Sequence, residues 1–260
     1  MKITSHKNPL IKYLKQLQNK SKLRIKDRCF VVEGVREISM AYKYNYNFKK
    51  VLYVEKLYEE NINFSSQTEV IQISHEVYKN IAYRSSTEGV IAVVDAPFHS
   101  LSQLKFKNPN PLILILESPE KPGNIGAILR TADAAQVDAV IIANPKTDLY
   151  NPNTIRASLG AIFSTPLAIG SSEEVYKYLV KNDFKLFAAT LQNSNSYLAE
   201  SYRDSSAFIM GSEAYGLTEF WRDKPNIKAV NIPMLGEIDS MNLSVSTAIL
   251  TFEALRQRQK

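Results

Sequence analysis

At 260 residues, 45% of them hydrophobic and 22% charged, the chain has ordinary globular composition and enough length for two modest cores. One cysteine, Cys29, excludes an internal disulfide and a multi-cysteine zinc site. The start lacks the apolar region of a signal peptide, and no apolar run approaches the ~20 residues of a membrane span, so a soluble cytoplasmic protein with no membrane partner is expected.

The net charge of +6 sits in residues 1–99, which hold 16 Lys+Arg against 10 Asp+Glu, whereas residues 100–260 hold 16 of each. Residues 1–28 carry nine basic groups and only Asp27 as an acid. A polyanion such as RNA would feel this segment. The plainer alternative is the wet face of a lysine-rich helix.

Leu10, Ile11, Leu14 and Leu17 recur at helical spacing after Asn8-Pro9, a capping residue followed by proline at the first helical position. Residues 20–28 read as a basic loop or exposed helix end. Lys12, Lys15, Lys20, Lys22, Arg24 and Arg28 are the candidate RNA contacts. Residues 30–34 read as a strand ending at glycine, followed by a helix through Tyr42. Residues 50–54, 69–73 and 89–95 are β-branched runs that fit short strands. They predict a small α/β sandwich domain over residues 1–98. Pro97, Pro109 and Pro111 mark a linker over 99–111. From 112 to 260 the alternation is regular. Strands are expected near 112–116, 137–142, 185–190, 207–210 and 228–232. Helices are expected near 124–135, 153–163, 173–181, 217–223 and 243–258. That order predicts a mostly parallel sheet with helices on both faces.

Three loops in this second domain follow strand-like runs and lead into helical patterns. They are Asn124-Ile-Gly126-Ala-Ile-Leu-Arg130, Gly211-Ser-Glu213-Ala-Tyr-Gly216-Leu and Ile232-Pro-Met-Leu-Gly236-Glu-Ile-Asp-Ser240-Met-Asn242-Leu-Ser244-Val-Ser246. Open α/β sheets keep their ligands at the carboxyl ends of strands. Asn124 is expected to cap its helix, and Arg130, six residues on, to reach back to the cleft. The plainer alternative for the second loop is a steric strand-to-helix turn. Gly211→Val is expected to block a ligand while leaving the fold intact. Of the four polar residues at 240, 242, 244 and 246, one suffices as a helix cap. A stretch Arg156-Ala-Ser158-Leu-Gly160-Ala fits a helix with a glycine packing contact as well as it fits a substrate contact by Arg156.

The order and content of these loops resemble the SpoU (TrmH-like) RNA ribose 2′-O-methyltransferases of the knotted SPOUT superfamily, over residues 111–258. The first hundred residues resemble the substrate-binding domain often attached to these enzymes. The resemblance implies a C-terminal trefoil knot, a homodimer, S-adenosylmethionine as cofactor and no metal. It implies catalytic roles for Asn124, Arg130, Glu213, Ser240 and Asn242. It implies cofactor contacts by Thr190, Gly211, Gly216, Ile232, Met234, Met241 and Ser246. The chain departs from the family at Lys121, where an acid or amide is usual, and carries Met241 and Leu243 where Leu and Val are usual.

Absent residues narrow the chemistry. All three histidines, His6, His75 and His99, precede residue 112, as does Cys29. A Ser-His-Asp triad, a Cys-His pair and a histidine base are excluded from the second domain. Neither a Gly-Lys-Ser/Thr phosphate loop nor a Gly-x-Gly-x-x-Gly fingerprint is present. Methyl transfer suits a site of Arg, Glu, Asn and Ser, because the enzyme mainly positions an activated donor. The expected function is methylation of a ribose 2′-hydroxyl in structured RNA, ribosomal RNA before transfer RNA. The rivals are a non-catalytic RNA-binding or ribosome-assembly protein and a base methyltransferase; the intact polar set and the Ser240-Met-Asn242 run argue against them.

Overall fold

The computed structural model describes residues 2–58, 62–83, 88–238 and 240–259. The chain forms two compact units.

The first unit holds residues 1–98 and, returning from later in the chain, 148–164. Its elements are β1 (Lys2–Ile3), α1 (Pro9–Asn19), α2 (Ser21–Asp27), β2 (Cys29–Glu33), α3 (Val35–Lys43), β3 (Phe48–Tyr53), β4 (Glu69–Ile73), α4 (His75–Ile81) and β5 (Val90–Asp95). The strands form one mixed sheet in the order β1-β4-β3-β5-β2. The helix expected after Asn8-Pro9 is α1. Asn8 caps it by accepting from the Leu10 N–H at 2.9 Å, and Ile11, Leu14 and Leu17 are buried. The basic stretch after it is helical, α2, and ends where Arg28 takes a left-handed conformation.

Arg24 departs from the sequence reading. It is 4% exposed, pairs with Asp148, and donates to the carbonyls of Leu17 and Gln18. It is therefore a structural arginine, not a surface phosphate contact. Arg28 is exposed, but its guanidinium lies 3.4 Å from the Phe98 ring centroid and donates to the Ala96 carbonyl. Lys12, Lys20 and Lys22 are exposed and Lys15 is half-buried.

The helix expected over 153–163 is broken into α6 (Pro152–Ser158) and α7 (Ala161–Ser164). Leu159 is left-handed at φ 52° and Gly160 follows at φ 92°. A Cβ on Gly160 would also lie 2.8 Å from the Met40 side chain, so glycine is needed there twice over. Residues 148–164 thus pack with the first unit, whereas the sequence division keeps them with the second. Phe30 explains the attachment: it stacks on Tyr150 with ring centroids 3.9 Å apart and packs near Phe163. Arg156 is exposed, with its guanidinium 5.9 Å from the Tyr83 ring centroid.

The second unit holds residues 99–147 and 165–260. Its elements are β6 (Leu112–Glu117), α5 (Pro122–Ala134), β7 (Ala139–Ala143), β8 (Leu167–Gly170), α8 (Ser172–Lys181), β9 (Lys185–Ala189), β10 (Asn195–Ser196), β11 (Ser206–Met210), α9 (Glu219–Arg222), β12 (Ile227–Asn231) and α10 (Leu243–Arg258). The strands form one seven-stranded sheet, β10-β12-β9-β11-β6-β7-β8, in which every adjacent pair is parallel. The central strands read as unbroken apolar runs, as a sheet covered on both faces requires: every residue of β6, β7 and β11 is buried.

Glu117 ends β6 and is 1% exposed. Its carboxylate accepts from Ser172 Oγ at 3.1 Å, Thr218 N–H at 2.9 Å and Thr218 Oγ1 at 2.7 Å. One buried charge, fully hydrogen-bonded, ties the sheet to the starts of α8 and α9.

Candidate active site

Three neighbouring strands, β12, β9 and β11, end on the same side of the sheet. The loops after them and the segment entering α10 enclose a cavity of about 460 Å³. That volume falls within the range of about 300–1,000 Å³ typical of small-ligand sites. Thr190, Gly211, Gly216, Ile232, Met234, Met241 and Ser246 all line it. So do Glu213, Ser240 and Asn242. Positions adjoining the loop motifs complete the wall: Ala189, Leu191, Met210, Asn231 and Leu250. Ala189, Leu191, Met210 and Asn231 are there because strand ends run into loops, and Leu250 because α10 packs behind the cavity, neither of which the motifs alone mark.

The loop 211–217 owes its shape to backbone contacts. Ser212 and Gly216 exchange both N–H···O=C hydrogen bonds at 3.0 Å, and Gly216 takes φ 65° to close the turn. A Cβ on Gly211 would lie 2.2 Å from the Gly216 carbonyl carbon and 2.3 Å from the Leu217 nitrogen. The obstacle to a side chain at 211 is therefore the loop itself. The expectation that Gly211→Val spares the fold is overturned.

A chain of polar groups joins the three loops. Ser244 N–H and Oγ donate to Asn242 Oδ1 at 2.9 and 2.7 Å. Asn242 Nδ2 donates to Asn124 Oδ1 at 3.2 Å, and Asn124 Nδ2 donates to Glu213 Oε1 at 2.6 Å. Glu213 Oε2 also accepts from the Glu120 N–H at 3.4 Å. Asn242 is the cap of α10, so the cap expected among the four polar residues is identified. Asn124 is no cap. Lys121 precedes Pro122 at the start of α5, and Asn124 sits inside the first turn, nearly buried. Its amide is oriented from both ends: its oxygen accepts from Asn242 while its nitrogen donates to a carboxylate.

Arg130 stands apart. It is exposed on α5 and does not line the cavity. From Asn124 it is six residues on, about 9 Å along the axis and 120° around it. The expected reach back to the cleft is not made within one chain. Lys121 lines the cavity instead, at the position where the sequence departs from the family pattern.

A parallel α/β unit with a ligand-sized cavity at its strand ends belongs to the class of proteins that bind small ligands there. Residues 111–252 match the SpoU rRNA Methylase family, and residues 8–92 match the MRM3-like substrate binding domain. The chain belongs to the SpoU rRNA Methylase family. It is 27% identical to the 23S rRNA (guanosine(2553)-2′-O)-methyltransferase RlmP of Bacillus subtilis (strain 168), over 96% of this chain and 97% of that one. Among solved structures, an RNA 2′-O ribose methyltransferase is 36% identical, with a TM-score of 0.84 over 100% of both chains. The SpoU methyltransferase AviRb of Streptomyces viridochromogenes, in complex with the cofactor AdoMet, is 25% identical, with a TM-score of 0.87 over 98% of this chain and 99% of that one. The resemblance drawn from the three loops is borne out over both parts of the chain.

Proposed function

We propose that this protein transfers a methyl group from S-adenosylmethionine to a ribose 2′-hydroxyl of ribosomal RNA. The observation that carries the reading is the Ser244–Asn242–Asn124–Glu213 hydrogen-bonded chain at the wall of a strand-end cavity. Family membership and the AdoMet-bound relative supply the chemistry. The cavity fits that cofactor: its size suits a nucleoside joined to an amino acid, and its walls mix apolar side chains with backbone at strand ends. Thr190, Gly211, Gly216, Ile232, Met234, Met241 and Ser246 would hold it. When bound, the cofactor supplies a methyl group already activated on a sulfonium. The protein's residues then have to position and polarise the hydroxyl. Asn124, Glu213, Ser240 and Asn242 offer the hydrogen-bonding groups for that task. The first unit binds the RNA, with Lys12, Lys15, Lys20, Lys22 and Arg28 from its first 98 residues and Arg156 from the returning segment 148–164 as candidate contacts.

The active form is a homodimer. On α10, Val245 and Phe252 stand seven residues apart, 47% and 48% exposed, and α10 packs beside α5, which carries Arg130. A second copy would cover this stripe and let Arg130 serve a site it does not reach in its own chain. The segment entering α10 closes a trefoil knot, as the family resemblance implies, and the protein works in the cytoplasm. Among the described residues, no helix is long and apolar enough to cross a membrane.

An arginine is always protonated at neutral pH, so Arg130 acts as a fixed positive charge at the developing alkoxide or a neighbouring phosphate, not as a base. Arg130→Ala is expected to keep cofactor affinity and lower turnover by about 10²–10³-fold. Arg130→Lys should recover part of that turnover, since a point charge remains but the forked geometry does not. Calorimetry with S-adenosylhomocysteine and methyl transfer to protein-free ribosomal RNA measure the two effects separately. Equal turnover by wild type and Arg130→Ala would remove Arg130 from the mechanism.

A further inference from the structure

We propose that Tyr215 is a stacking platform for an unpaired nucleobase of the RNA substrate at the rim of the cavity; this rests on the RNA methylation reading above. Tyr215 is 82% exposed, the most exposed aromatic ring among the described residues of either unit. Among the described residues its hydroxyl has no hydrogen-bond partner and its ring packs against no other ring.

Its backbone, in contrast, is fixed. The Tyr215 N–H donates to Ser212 Oγ at 3.2 Å, inside the turn that Ser212 and Gly216 close with paired backbone hydrogen bonds. Two residues earlier in the same turn, Glu213 reaches Asn124. The loop therefore presents a carboxylate to the polar chain and an aromatic ring to solvent, in a fixed relation. Neither Tyr215 nor Lys146 lines the cavity, so the ring lies outside the space proposed for the cofactor.

Lys146 gives the rim its second feature. Its ammonium is 5.8 Å from the Tyr215 ring centroid and 3.2 Å from a Glu120 carboxylate oxygen. Glu120 in turn donates its N–H to Glu213. A cation within about 6 Å of the ring suits a cation–π contact and lies where an RNA backbone would be attracted. Sequence-specific and single-stranded RNA recognition stacks splayed bases on aromatic rings, and any base has a face to offer. An exposed ring on a braced loop needs little ordering to accept one. A 2′-hydroxyl held at the polar chain belongs to a nucleotide whose neighbours pass over this rim.

The test uses the full chain and compares wild type with Tyr215→Phe and Tyr215→Leu. Leucine keeps apolar bulk and removes the ring face. Affinity for a protein-free large-subunit ribosomal RNA transcript is measured by direct binding, with KM and kcat for methylation alongside. Affinity for S-adenosylhomocysteine is measured by calorimetry. Tyr215→Leu should weaken RNA binding and raise KM by about 5- to 150-fold, while Tyr215→Phe stays near wild type and cofactor affinity is unchanged in both. RNA affinity equal to wild type in Tyr215→Leu, or a matching loss of cofactor affinity, would overturn the proposal. A wild type that binds RNA without methylating it would sink the functional reading instead, and the ratio of binding constants would still decide the role of Tyr215.

Discussion

Gly211→Ala should lose the cofactor cavity along with the cofactor. The new Cβ would fall 2.2–2.5 Å from backbone atoms of Gly216 and Leu217, distances no Cβ tolerates. Backbone cannot swing aside as a long side chain can, so the 211–217 turn must open. Opening it separates Ser212 from Gly216 and pulls Glu213 from Asn124. Overpacking of this kind costs about 1–3 kcal/mol, and more where the obstacle is main chain. Gly216→Ala makes the contrast. A Cβ there meets nothing within 4 Å, and only φ 65° opposes it, a strain of about 1–3 kcal/mol. Asparagine tolerates that conformation, so Gly216→Asn should keep more cofactor affinity than Gly211→Ala. Thermal unfolding and S-adenosylhomocysteine calorimetry on the three variants check this. Wild-type melting and binding by Gly211→Ala would show that the loop is not built as described.

Arg24→Met should destabilise the first unit by about 3–5 kcal/mol, the cost of breaking a buried ion pair from one side. Asp148, only 11% exposed, would be left without its partner, and the carbonyls of Leu17 and Gln18 without their donor. The neighbouring lysines should behave in the opposite way. Changing Lys12, Lys15, Lys20 and Lys22 to Gln together should leave stability nearly unchanged, because Lys12, Lys20 and Lys22 are exposed and Lys15 is only half-buried. It should weaken RNA binding and flatten its salt dependence by about one slope unit for each phosphate the protein no longer neutralises. Urea denaturation and RNA affinity at several salt concentrations separate the two sets. Arg24→Met as stable as wild type, or a quadruple variant with an unchanged salt slope, would contradict the respective assignment.

How much of the structure is legible in the sequence follows from how local each signal is. Strands β6, β7 and β11 are readable because a sheet covered on both faces turns every strand residue inward, whereas β9 shows a shorter apolar stretch after Lys185 and β12 one interrupted by Lys228. All seven cofactor candidates implied by the family resemblance fall in one cavity, because the loops that carry the resemblance follow strands that end side by side. Strand β8 escapes the sequence reading: Leu167–Gly170 is four residues long, and its pairing with β7 lies outside any local pattern. Helix α4 escapes it too, although Ser74 caps it by accepting from the Val77 N–H, a signal that is present in the sequence. The break at Leu159 is invisible because a left-handed leucine has no sequence signature, and Gly160 beside it reads equally well as a packing contact. Arg24 reads as a surface group because its partner, Asp148, lies 124 residues away. Asn124 reads as a cap because asparagine near a helix start usually is one; only Glu213 and Asn242, from two distant loops, fix its amide inside the first turn.

Ribose methylation of ribosomal RNA is tested most directly by mapping 2′-O-methyl groups across the ribosomal RNA of cells with and without this protein, with Arg130→Ala as a third arm. Loss of a ribose methyl at a defined nucleotide in both the deletion and the Arg130→Ala strain, restored by the wild-type gene, is the expected result. Identical maps in all three strains, with every ribosomal ribose methyl retained, would contradict it.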